Sequence, residues 1–161
     1  MISQSAASPS VAALKPPLNG RTMITKPHLK LTYEGAQAIL SAAIAKAREM
    51  GVPQCVAVVD EGGHLLAFAR MDGARILSIK TARRKAATAA SIGRPTGAIQ
   101  ADLDVKLALA TDGRLTNLKG GLPIVIDGIV VGGIGVGSGT GEQDLEVATA
   151  ALTVVVPGRG E

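Results

Sequence analysis

Apolar residues recur along this chain in two rhythms, one helical and one extended, and the switches between them outline a fold. Ala36, Ile39, Leu40, Ala43, Ile44 and Ala47 keep the i, i+3, i+4, i+7 spacing of a helix with one buried face. Thr32 can cap its start, Glu34 suits its first turn, and Gly51 with Pro53 ends it. Cys55 to Val59 is a short Val-rich run. Glu61-Gly62-Gly63 signals a hairpin, and His64 to Arg70 returns as a strand. Period two puts His64, Leu66, Phe68 and Arg70 on one side of that strand and Leu65, Ala67, Ala69 and Met71 on the other. Both sides are largely apolar, which predicts a sheet covered on both faces. Ala74 to about Ile92 reads as a second helix stopped by Arg94-Pro95. A weaker helical stretch follows from Gly97 to about Ala110, then a turn at Asp112-Gly113. Arg114 to Leu118 is expected to be a short edge strand.

The end of the chain carries the clearest pattern. Leu122 to Ile126 and Ile129 to Gly137 predict a hairpin around Asp127-Gly128, a strong type I′ signal. Glycine alternates along the second of these strands. It strips side chains from one face and admits a ligand or another backbone. Thr140 and Gln143 have capping-box spacing, with Glu142 and Asp144 in the first turn of a last helix. The order of elements predicts an α+β domain of three layers with an antiparallel sheet of about five strands. Residues 1–30, rich in Ser, Pro and Lys, are expected to be a flexible arm. Residues 31–156 form the single domain, and 157–161 a frayed tail.

Composition narrows the function. The 161 residues suffice for one domain with a core. Tyr33 and Phe68 are the only aromatic residues, so the core must be aliphatic, and a base-stacking surface for nucleic acid is excluded. The net charge of +4 gathers in the N-terminal arm and at Lys80, Arg83, Arg84 and Lys85. That helical run reads either as a solvated face or as an anion seat. Cys55 is the only cysteine, which excludes an intrachain disulfide. No run has the length of a membrane span or the pattern of a signal peptide, so a cytoplasmic protein is expected.

Familiar motifs are absent: no G-x-G-x-x-G, no phosphate-binding loop ending in Gly-Lys, no nucleophile elbow around Ser138, and no zinc spacing. A constellation remains. Backbone N–H groups at Gly139 and Gly141, beside Gly120 and Gly121, make either an anion nest or a plain loop and cap. Lys85 and Arg94 can hold a carboxylate. Glu142 and His64 can move a proton, or serve only as a first-turn charge and a structural histidine.

Three blocks, VAVVDEGGHLLAFARMDGA, SIKTARRKAATAASIGRPT and GGLPIVIDGIVVGGIGVGSGTGEQDLEVATAAL, occur in order at the spacing of one family. Over residues 30–155 the chain resembles the GlcG/HbpS proteins, which include the C-terminal domain of one type of corrinoid adenosyltransferase. The resemblance implies a profilin-like α/β/α fold with a five-stranded antiparallel sheet, and homo-oligomers. It also implies a small-molecule ligand, with haem favoured because some members bind it. His64, Met71 and Tyr33 are then the candidate axial ligands. Two other readings stand beside it: an enzyme acting on a small anionic catabolic metabolite, and a non-catalytic assembly module whose glycine face is a subunit interface.

Overall fold

Thr32 caps the first helix as its sequence predicts, its hydroxyl accepting from the Gly35 N–H at 3.0 Å. The helix, α1, runs Tyr33–Glu49 and buries Ala36, Ile39, Leu40, Ala43 and Ala47. In this computed structural model the described residues are 28–155 together with Ile24 and Lys26. The tail at 157–161 and nearly all of the arm therefore lie outside them. At the arm's end, Lys30 and His28 face Glu61 at 3.1 and 3.7 Å.

Strands β1 (Cys55–Asp60) and β2 (Leu65–Arg70) form the first hairpin. Helix α2 (Leu77–Ile92) ends at Gly93, whose φ of +65° is a left-handed cap. Helix α3 (Ala101–Ala110) follows, then the hairpin of β3 (Gly121–Ile126) and β4 (Ile129–Gly137). Asp127 and Gly128 both have positive φ, as a type I′ turn requires. Helix α4 (Gly141–Ala151) begins with the expected capping box: Gln143 N–H donates to Thr140, and Thr140 N–H to the Gln143 side chain.

The sheet is antiparallel, in the order β2-β1-β4-β3, and has four strands where five were expected. The missing one is Arg114–Leu118. Its backbone is satisfied by side chains: Thr116 N–H donates to the Thr88 hydroxyl at 3.1 Å, and the Leu118 carbonyl accepts from Thr96 at 2.6 Å. With its polar groups met by α2 and the loop after it, the segment has no need of a strand partner.

Both sheet faces are covered. Val56, Val58, Ile134 and Val136 pack with α1 and α4, while Cys55, Ala57 and Val59 pack with Ala82, Ala86 and Ala90 of α2. The glycine face of β4 lies under α2. A Cβ at Gly133 would stand 2.3 Å from the Ala86 carbonyl oxygen, and one at Gly135 would stand 2.1 Å from that of Ala82. Of the two occupants this bare face admits, a ligand or another backbone, the structure thus shows the second. The helix backbone fills the face, and an opening lies past Gly137.

Candidate functional site

Three polar groupings lie around α2. The first closes the end of β4. Lys85 points inward from α2, and its ammonium donates at 2.7 Å to both the Val136 carbonyl and Asp144 Oδ2. Lys85 and Asp144 are 4% and 3% exposed, so this is a buried ion pair. A Cβ at Gly120 would lie 2.6 Å from that of Asp144, and one at Gly121 would lie 2.6 Å from the Lys85 carbonyl oxygen. These two glycines let the pair close. The nest expected at Gly139 is already occupied, since its N–H is shared between Asp144 Oδ1 at 3.0 Å and Gln54 Oε1 at 3.2 Å. A cleft of about 210 Å³ opens here, lined in part by Lys85, Gly139, Gly141 and Asp144. Glu142 stands at its edge in an exposed ion pair with Lys119 at 2.8 Å. The Lys119 hydrogen bond, helped by the residue's own N–H, holds the Glu142 carboxyl below its ordinary value, which favours a carboxylate over a proton donor.

The second grouping is the β1–β2 turn. Asp60 Oδ1 accepts from the Gly62 and His64 N–H groups at 2.9 and 2.8 Å, and the carboxylate meets His64 Nδ1 at 3.1 and 3.2 Å. Partial burial pushes the Asp60 carboxyl up, but these bonds outweigh it and hold it below its usual range. With Nδ1 engaged, Nε2 is the ring nitrogen of this exposed imidazole left without a hydrogen-bond partner among the described residues.

The third is a basic cleft on the outer side of α2. One part, of about 660 Å³, runs from Gly62 and Gly63 past Arg84 to Arg114 and Leu115. A second part, of about 410 Å³, shares Gly63, Arg84 and Arg114 with it and adds Lys80 and Arg83. None of these four cations has an acidic partner within ion-pair distance among the described residues.

The candidates from the sequence are therefore dispersed. Lys85, Gly120, Gly121, Gly139 and Gly141 come together, with Glu142 at their rim. His64 lies on the other hairpin, and Arg94, exposed after α2, lines none of these clefts. Met71 is engaged through its sulfur, which accepts from the Gln54 N–H at 3.4 Å, and the Tyr33 hydroxyl accepts from Gln37 at 2.8 Å. Asp144, Gln54, Asp60 and Arg114 are polar positions that the sequence reading did not single out. No cluster of three His, Cys, Asp or Glu able to hold a metal occurs among the described residues. Nor is any helix among them long and apolar enough to cross a membrane.

The profile of the family described as "Haem degrading protein HbpS-like" matches residues 31–153. The chain belongs to this family. Protein GlcG of Escherichia coli K12 is 37% identical over 107 residues, covering 66% of this chain and 80% of GlcG. The crystal structure of a double mutant of Streptomyces reticuli HbpS superposes with a TM-score of 0.75 at 33% identity, over 89% of this chain and 99% of that one. A crystal structure described as a PduOC:heme complex gives a TM-score of 0.74 at 27% identity, over 83% and 100%. The α+β architecture with its antiparallel sheet is thus shared with these solved structures.

Proposed function

We propose that this HbpS-like chain binds haem against the basic cleft, with His64 as the iron ligand. The observation that carries the reading is the Asp60 carboxylate on His64 Nδ1, at 3.1 Å. A ligating histidine commonly donates its other ring N–H to a carboxylate, which fixes the ring and raises the basicity of the free nitrogen. Met71 and Tyr33 have their acceptor atoms engaged, so His64 is the favoured one of the three. Its ring folds over Gly62, which lines the cleft: a Cβ there would stand 2.7 Å from His64 Cε1.

The remaining residues suit the group. A volume of about 660 Å³ falls within the range of cofactor sites. Ile92, Leu115 and Ala87 offer an aliphatic wall, and Arg84 and Arg114 suit the two propionates, since a guanidinium pairs with a carboxylate through two bonds. When bound, haem would supply redox-active iron, which the His64 imidazole would hold. The relative described as a heme complex and the family's description support the choice of ligand. Leu103, Val105 and Leu109 stand exposed on α3, which supports association of copies of the chain. A cytoplasmic location suits a chain with a single free, buried cysteine.

Titrating hemin into the protein is expected to give a shifted, saturable Soret band, altered in His64→Ala and weakened in Arg84→Gln with Arg114→Gln. An unshifted band at stoichiometric protein would overturn haem binding. A His64→Ala spectrum identical to wild type would overturn the ligand assignment.

A further inference from the structure

We infer that the small cleft at the end of β4 is a second binding site, for a small organic carboxylate bearing a hydroxyl group. It shares no lining residue with the basic cleft, because α2 presents Ser78, Thr81 and Lys85 on one side and Lys80, Arg83 and Arg84 on the other. Its volume of about 210 Å³ is too small for a tetrapyrrole. That space equals roughly seven water molecules at about 30 Å³ each, enough for a small organic acid.

The charge of the lining selects an anion. Lys85 and Asp144 neutralise each other, and Lys119 is matched by Glu142. Arg75 lines the cleft and has no acidic partner among the described residues, leaving one unmatched positive charge. Its backbone is pinned, since the Arg75 N–H donates to Ser138 Oγ at 2.9 Å. Ser138 holds a φ of +106°, a conformation that a residue with a side chain rarely adopts.

The walls keep a spare donor. An ammonium has three N–H bonds, and Lys85 uses two within the protein. Gln54 is wholly buried and its Oε1 accepts from Gly139, yet its Nε2 has no partner among the described residues. That nitrogen lies 2.7 Å from where a Cβ on Gly139 would stand, behind a residue that lines the cleft, and is itself closed off from the cleft's solvent. In the assigned pose, the carboxylate meets Arg75 and the third Lys85 proton, and the hydroxyl meets Thr81.

The test is a calorimetric titration of the full chain with lactate, set against acetate, acetamide and phosphate. Saturable lactate binding is expected, tighter than acetate and with none for acetamide. Arg75→Gln, an exposed change that should fold, is expected to weaken lactate at least about tenfold, the loss of one charge-assisted contact. Thr81→Val should weaken lactate but leave acetate unchanged. Amide shifts at Gly139 and Lys85 on adding lactate would place the ligand. The inference is overturned by absence of saturable lactate binding, by equal binding of acetamide, by preference for phosphate, or by an Arg75→Gln variant that binds as wild type. Hemin binding by Arg75→Gln should be unaffected, so this site and the haem reading succeed or fail separately.

Discussion

Replacing Gly135 by Ala adds one methyl group at the tightest contact between helix and sheet. That methyl would stand 2.1 Å from the Ala82 carbonyl oxygen and 2.4 Å from the Ala86 N, where ordinary contact begins at 3.4 Å. Both atoms belong to the backbone of α2, so no rotamer change relieves the clash. The helix must retreat by roughly 1 Å, and a gap of that size forfeits about a quarter to a half of each dispersion contact. Ala82, Ala86 and Ala90 make their contacts with Cys55, Ala57 and Val59 through this interface. Overpacking in a core costs about 1–3 kcal/mol, and the upper end, ~3 kcal/mol, is expected where backbone must move. With a urea slope of about 2 kcal/mol/M, the midpoint should fall by about 1.5 M. The assay is urea unfolding followed by far-ultraviolet circular dichroism, since the chain has no tryptophan to report. Gly51→Ala is the comparison. It has open space but a φ of +67°, so only backbone strain of about 1–2 kcal/mol applies. A Gly135→Ala variant no less stable than Gly51→Ala would refute the packing account.

The buried pair gives a second prediction. Lys85→Met strands the Asp144 carboxylate, and Asp144→Leu strands the ammonium, each costing about 3–5 kcal/mol, while the double variant should be less destabilised than the sum of the two. Strict additivity in a double-mutant cycle would show that the two groups do not depend on each other. The third concerns pH. The Asp60 carboxyl titrates below its ordinary 3.8 in the folded chain. Its contribution is therefore present above that value and lost as pH falls through the lower folded one. Asp60→Asn should lower stability at neutral pH and flatten the acid limb. An unchanged difference between the two proteins from neutral pH down to pH 2 would contradict this.

Much of the site was visible as pattern before it was visible as geometry. Asp144 continues the apolar stripe of Val147, Ala148 and Ala151, and Lys85 sits among Ala82, Ala86 and Ala89 on the buried side of α2. A charged residue on an apolar stripe is either paired or out of place, and two opposite charges so placed were a usable signal. Read one at a time, Lys85 looked like part of a basic run or a seat for a carboxylate, and Asp144 like a first-turn charge. Arg114–Leu118 failed in the opposite way. Its residues suit a strand, but the hydroxyls of Thr88 and Thr96, 28 and 22 residues away from their partners, had already met its backbone.

By itself the sequence determined what depends on neighbours along the chain: the caps at Thr32 and Thr140, the Asp127-Gly128 turn, the apolar faces of α1 and α4, and an antiparallel α+β order. These follow from hydrogen bonds and periodicities spanning a few residues. Tertiary structure alone decided what touches what across long separations. It laid α2 over the glycine ribbon, joined Lys85 to Asp144 over 59 positions, and sorted the cations of α2 into two separate clefts. A glycine records only that something comes close, and the fold chooses whether that is a ligand or a helix.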